Sequence, residues 1–416
     1  MNKAFPYLLL ILLLSFRNDA KGQAPTFYNG GLKFNNTVFT QKQVGNINYV
    51  GGSFTAINAT TGPLVGIDPT TLQPASTALA AVFSKIVGTV RTVSPDGSGG
   101  LYIGGSFTFS NGSTSATNLM RVSSVGTVIS LQQSAQISDV NKILVHQGRV
   151  FVCHNAGIKC FNQNTNSEDL SWPTAQVVGV ANDALVYGNH IYFGGRFFVT
   201  NNFRPLIRIT TNSNAFDFVW NPNIRSTSSI SSTNNARIFA LELYNQNLIF
   251  GGQNILFQGS SARINLGGID LQTNGVFGLA VQVSGTVLDL AVAGTNLFIG
   301  GSFTSLRNPG NTTNILRKNL ALITIVNNNQ VFSTFNPDPN GPVNTLAVVA
   351  NRLLVGGAFS TIQGQTNINI NAAAFSNANI LGSAALLPNL APNPNGTVRV
   401  KLDVEGNTRW TTWKAK

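Results

Sequence analysis

The sequence predicts an all-β protein built as a β-propeller, and three observations carry that expectation. Charged side chains make up only 10% of the 416 residues while glycine reaches 41, far from the roughly 25% charge of an average soluble chain and suited to short strands joined by turns. Beyond residue 22, no apolar period of about 3.6 residues runs long enough for a helix. A double-glycine phrase recurs along the whole chain, which is the mark of a repeat architecture. The apolar share of 43% fills one large core or two ordinary ones, so a disordered tail and a short disulfide-stapled peptide are excluded.

The first element is a targeting segment. Met1, Asn2 and Lys3 form a short positive stretch, and Tyr7 to Phe16 is an apolar run of ten residues, about half of what a bilayer-spanning helix needs. Residues 1–22 read as a secretory signal, with small Ala20 and Gly22 placing cleavage before Gln23. Cleavage after Ala24 also fits but leaves Pro25 first. No cysteine lies near the cleavage point and no second apolar stretch of 18 residues follows, so a secreted, extracellular or cell-surface product without a membrane span or lipid anchor is expected. The mature chain keeps 23 basic and 13 acidic side chains, a net charge of +10. Such a balance attracts polyanions, although the basic residues are scattered and not clustered.

Residues 23–416 then form one repeated domain. The phrase is Tyr49-Val50-Gly51-Gly52-Ser53-Phe54-Thr55, and it returns with glycine pairs at Gly104-Gly105, Gly194-Gly195, Gly251-Gly252, Gly300-Gly301 and Gly356-Gly357. First glycines are separated by 53, 90, 57, 49 and 56 residues. The long step hides a further unit at Val150-Phe151-Val152-Cys153-His154, where Cys153 and His154 replace the pair. Each unit opens with a Val/Leu/Ala strand such as Val287 to Val292, turns at short polar segments such as Gly294-Thr295-Asn296, and enters the glycine-pair strand. A variable Asn/Ser/Thr/Gly loop leads to a third strand, such as Leu320 to Ile325, and a less regular fourth segment closes the unit.

Four short strands every 51 residues or so match one propeller blade. Glycine at a fixed point of each second strand is expected where neighbouring sheets crowd together. The Phe two residues beyond each pair is expected to fill the space between blades. Seven four-stranded blades are expected, with eight as the alternative. Residues 390–416 repeat a unit's opening, since Leu390 to Val398 parallels Phe335 to Val343; they either close the ring with the amino-terminal segment or start an eighth blade. Of Trp410 and Trp413, one is expected in the core and the other exposed, while Trp220 reads as blade packing.

The double glycine after a Tyr or Phe strand resembles the kelch repeat, with a similar period, but the chain departs from kelch in lacking the later Tyr and Trp of each unit. The fuller phrase, with Phe335-Asn336-Pro337-Asp338-Pro339-Asn340-Gly341-Pro342-Val343 opening a unit, looks more like propeller repeats of bacterial exported proteins and of fungal cortical polarity-marker proteins. That resemblance spans roughly residues 30–416. It implies a propeller in a cell-surface or extracellular setting and no shared active site.

Candidate chemistry is sparse. Cys153 and Cys160 flank a hairpin expected to turn at Ala156-Gly157, which sets them opposite one another and favours a disulfide in an exported protein; free thiols and a metal site with His146 or His154 are the alternatives. Successive strand residues face opposite sides, so Cys153 and His154 cannot share one ion. Neither metal nor cofactor is expected. Glu168-Asp169, the adjacent acidic pair, reads as capping or solvated. No G-x-S-x-G, H-E-x-x-H, Walker or EF-hand spacing occurs, so no catalytic residue is assigned. Sequons at Asn35, Asn58, Asn111, Asn311 and Asn395 are glycan acceptors if the source glycosylates. The expected function is non-catalytic binding of a polysaccharide or surface protein; the alternatives are an adhesion scaffold and a secreted carbohydrate-active or oxidase enzyme.

Overall fold

A computed structural model describes residues 34–413 except 58, 69–73, 76–77, 174–176, 200–201, 212–214, 228–234, 259, 350–351, 363–371, 377–397 and 405–406. The signal segment, the start of the mature chain, Asn58 and Asn395 lie outside those residues. Seven antiparallel units follow one another. Their first strands are Val38–Val44, Ile86–Pro95, Val140–His146, Val177–Tyr187, Arg237–Tyr244, Thr286–Ala293 and Val343–Val349. Each pairs with the glycine-pair strand of its own unit, and that middle strand pairs with a third.

In units 1, 3, 4, 5 and 6 the hairpin between first and middle strands turns on two residues, with a left-handed residue first: Gly45, Gln147, Gly188, Asn245 and Gly294. Two-residue turns of this kind match the right-handed twist of the flanking strands. Four strands are complete in unit 2, which adds Val128–Ile129, and in unit 6, which adds Asn329–Phe332. In units 1, 3, 4 and 5 the fourth strand shrinks to a single bridge at Pro74, Glu168, Phe216 and Val276. Pro74 has no N–H to continue a ladder. Among the described residues one short helix, Ala80–Phe83, packs Val82 and Phe83 beside unit 1, a local turn too brief to give the sequence a helical period.

The first strands lie side by side in chain order around an axis, and the first strand of unit 7 lies against that of unit 1. They are therefore the inner strands. The expected crowding at the glycines has a specific partner. A Cβ on Gly51 would meet Val90 of the next unit at 2.6 Å, one on Gly104 would meet Val140 at 2.5 Å, and one on Gly194 would meet Ile238 at 2.5 Å. Gly251 faces Val287, Gly300 faces Val343, and Gly356 faces Val38 of unit 1, so the same contact joins the last unit to the first. Five of the six pairs are followed by a buried Phe: Phe54, Phe107, Phe197, Phe303 and Phe359 are at most 3% exposed, each contributing about 2 kcal/mol of burial; Gly251-Gly252 is followed by Gln253-Asn254 instead, and Ile255 is buried there. Trp220 is buried against Tyr192, as blade packing requires.

Of the 390–416 segment, residues 398–404 and 407–413 are described. Val398–Val404 and Asn407–Trp413 pair only with each other, and the side chains of Trp410 and Trp413 lie outside the described residues. Unit 3 is the informative exception. Cys153 stands where the first glycine would be, and in the next unit the facing position holds Ala181 in place of Val or Ile. Both are fully buried in one cluster. The volume added on one strand is removed from its neighbour. Ala181→Val alone is expected to cost about 1–3 kcal/mol through overpacking. Adding Cys153→Gly should restore most of that loss, giving a non-additive cycle in urea unfolding; additive effects would separate the two positions.

Candidate functional site: an axial charge cluster beneath a cationic mouth

Each inner strand carries one extra residue, so its register slips against the middle strand. The bulged residues are Phe39, Arg91, Asn141, Asn182, Phe239, Leu288 and Asn344. Such bulges re-aim side chains and free backbone groups from the ladder. Three of the bulged residues tie their unit to the next. Asn141 Nδ2 donates to the Ala181 carbonyl at 2.8 Å, Asn182 Nδ2 to Ile238 at 2.6 Å and Asn344 Nδ2 to Val38 at 3.2 Å.

The residue after the bulge completes the tie. Backbone N–H groups of the following inner strand donate to it: Ile143 to Thr92 Oγ1 at 3.2 Å, Leu241 to Asp183 Oδ2 at 2.7 Å, and Leu346 to Asp289 Oδ2 at 2.7 Å. A buried donor left unpaired is costly, and a carboxylate is the stronger acceptor. The position holds Thr40, Thr92, Lys142, Asp183, Ala240, Asp289 and Thr345. Charge thus collects along the axis as a by-product of satisfying backbone groups.

Lys142 is the one cation at that position. Its Nζ pairs with Asp183 Oδ1 at 2.6 Å. Burial disfavours its charged form, but the charge and hydrogen bond of Asp183 outweigh it, and the ammonium is held above its ordinary range. Asp289 is pushed up to about 7, first by burial and then by the nearby Asp183, against the pull of its backbone donors and Lys142. Glu242, two residues further along the unit 5 strand, is pushed up to about 8 by burial and by Asp289. Raised carboxyls are what acid–base chemistry uses. Asp289, however, already accepts from Leu290 and Leu346, which gives it a fixed structural task.

Where the inner strands begin, the axis opens into a cationic mouth. Arg91 pairs with Asp139 at 3.1 Å. Arg237 Nη2 donates to Asn182 Oδ1 at 2.6 Å, and its guanidinium lies 4.7 Å over the Phe239 ring. Arg196 lies 5.4 Å over Phe198, which contacts Phe203 edge-on at 5.7 Å. The Nε of Arg237 is buried and makes no hydrogen bond. Burial, then Arg196 and Arg91, lower the Arg237 pKa, so the three guanidiniums share one field. Units 2, 4 and 5 carry this cluster and also the longest hairpins, Leu101–Ser110, His190–Val199 and Asn247–Phe257. Val178, 62% exposed, pairs with Phe198 on the unit 4 hairpin, leaving apolar surface beside the charges.

The residues singled out from sequence fall elsewhere. The 153–160 hairpin turns at Asn155-Ala156, one residue earlier than expected, so Cys153 pairs with Ile158 and Cys160 with Phe151. The cysteines are diagonal and not opposite, and both are free and buried. Burial pushes Cys160 up to about 12 and raises Cys153 further. His154 accepts from or donates to Ser138 at 2.9 Å and is lowered to about 4 by burial and then by Lys159, so it is neutral at pH 7. Glu168 pairs with Lys159 at 2.7 Å and caps Ser134, and Asp169 caps Ser171. Among the described residues no group of three His, Cys, Asp or Glu could hold a metal, and no helix is long and apolar enough to cross a membrane. Asn35, Asn111 and Asn311 are exposed, with Asn35 Oδ1 accepting from Thr55 and Ala56. A cleft of about 190 Å³ includes His146, Arg149 and Thr211 in its lining, below the ~300–1,000 Å³ of ordinary ligand pockets.

No protein-family model matches the chain, and no curated relative matches it. Among solved structures, the chain is similar to a computationally designed protein, Ika8, at 11% identity and a TM-score of 0.49, over 91% of this chain and 96% of that one. It is also similar to BamB from Moraxella catarrhalis, at 14% identity and 0.41, over 78% and 97%. A third similarity is to PorZ, a surface component of the type-IX secretion system of Porphyromonas gingivalis, at 13% identity and 0.39, over 90% and 63%.

Two outcomes test the site. Glu242 and Asp289 have folded-state pKa values above their unfolded ones, so their stabilising protonation is complete below about pH 4 and is lost as pH rises through about 7 to 8. The Tm of Glu242→Gln should therefore fall less steeply than that of the wild type from about pH 5 to about pH 9; parallel profiles would contradict the cluster. Alkylation without reductant should label neither cysteine in the native protein and both after unfolding, read by mass.

Proposed function

We propose that the chain is an exported, non-catalytic propeller of seven blades that binds a glycan or protein partner at the cell surface or in the extracellular matrix. The observation that carries this reading is the mouth, where three arginines, exposed apolar residues and the long hairpins of units 2, 4 and 5 share one end of the axis. Seven inner strands in cyclic contact support the blade count. The apolar segment after Lys3 supports export, and the double-glycine phrase supports the kelch-like kinship. A non-catalytic role is favoured because the axial aspartates are engaged by backbone N–H groups and Glu242 sits deep among them.

Loops rich in Asn, Ser and Thr suit sugar hydroxyls, which need paired donors and acceptors. Aromatic faces beside them suit sugar rings. Residues 23–416 are expected to bind at least one member of a panel of neutral and acidic polysaccharides in a pull-down at low salt. Binding that resists high salt would place the affinity in stacking and hydrogen bonds, and binding lost at high salt would place it in charge. Failure against the whole panel would move the reading to a protein partner or a scaffold.

A further inference from the structure

We infer that the mouth formed by Arg91, Arg196 and Arg237 is a binding site for a carboxylate-bearing polysaccharide, of the uronate class, entering at the axis between the hairpins of units 2, 4 and 5. The inference rests on the glycan-binding reading above and narrows it to an acidic ligand and a place.

Several features point to an anion. Arg237 is held in position from two sides, by Asn182 Oδ1 at 2.6 Å and by the Phe239 ring at 4.7 Å. A guanidinium fixed in this way has its fork oriented before any ligand arrives. Its Nε is buried without an acceptor, and an unmet charged donor at a mouth calls for an oxygen from outside. Its charged neighbours are Arg196 and Arg91, while the nearby carboxylate, Asp139, is taken by Arg91 at 3.1 Å. Arg196 is likewise braced over an aromatic face, that of Phe198. Several guanidiniums drawn from separate units suit anionic groups spaced along a chain better than one compact ion. A carboxylate on each sugar supplies that spacing. The exposed Phe198 and Val178 beside them offer a ring face apolar contact.

The test uses polygalacturonate and its fully methyl-esterified form, which share a backbone and differ in charge, together with poly-glutamate as an acidic peptide. The wild type should bind polygalacturonate at least about tenfold more tightly than the ester, the effect of losing one charge-assisted contact. Arg196→Ala/Arg237→Ala should lose about tenfold or more of that affinity while keeping the strand signature of the wild type in circular dichroism. Arg237→Lys, which keeps the charge but not the fork, should recover only part of it. Equal binding of ester and acid would overturn the inference while leaving glycan binding intact. Poly-glutamate binding as tightly as polygalacturonate would make this an acidic-peptide site instead. Affinity untouched by the double variant would place the ligand elsewhere, and no binding to any polymer would remove both the inference and the reading beneath it.

Discussion

The contact between a glycine of one middle strand and a β-branched side chain of the next inner strand is the constraint from which the rest of the structure follows. Gly51, Gly104, Gly194, Gly251, Gly300 and Gly356 each leave room for one Val or Ile of the following unit. Any side chain larger than hydrogen at these positions pushes two inner strands apart, and the ring then cannot close at a single radius. The second glycine of each pair is excluded from carrying a side chain for another reason. Its Cβ would run into a carbonyl of its own inner strand, such as Thr286 for Gly301. One glycine therefore sets the distance between units, and the other sets the distance within a unit.

That close approach creates the axial chemistry. A bulge at each inner strand frees backbone donors, and the preceding unit answers with the side chain after its own bulge. Thr92, Asp183 and Asp289 perform the same task at three places. Using aspartate there brings negative charge into a narrow space, which Lys142 offsets at Asp183 but not fully at Asp289 and Glu242. The perturbed carboxyls are thus a consequence of closing the ring with charged acceptors. They mark a mechanical role as much as a chemical one.

The repeat was legible in the sequence because glycine pairs, the buried Phe and the two-residue turns are each fixed by a local requirement that returns about every 51 residues. The axial cluster was not, because Lys142, Asp183, Glu242 and Asp289 sit in different units and meet only through closure. A column of aligned inner strands would have exposed it, since Thr40, Thr92, Lys142, Asp183, Ala240, Asp289 and Thr345 share one position. The mouth was hidden for the same reason: basic residues that are scattered along the chain converge in space. The cysteine register was missed by one residue. Pairing at Asn155-Ala156 keeps His154 opposite Gly157, and a slip of one residue in a hairpin changes every cross-strand partner.

Unit 3 connects the constraint to the proposed binding face. His154 replaces the second glycine and its hairpin turns immediately, so the middle strand ends at His154 where those of units 2 and 4 continue to Ser110 and Val199. The ring is regular at the glycine contacts but uneven at its rim. Long hairpins stand at units 2, 4 and 5, with a low point at unit 3 between the first two. Arg91, Arg196 and Arg237 come from the tall units, and Asp139, the carboxylate that holds Arg91, comes from the low one. A side chain exchanged at one glycine thus alters the packing on one side and the height of the rim on the other. In the proposed reading, the low rim at unit 3 is where an extended ligand would approach the axis beside Arg91.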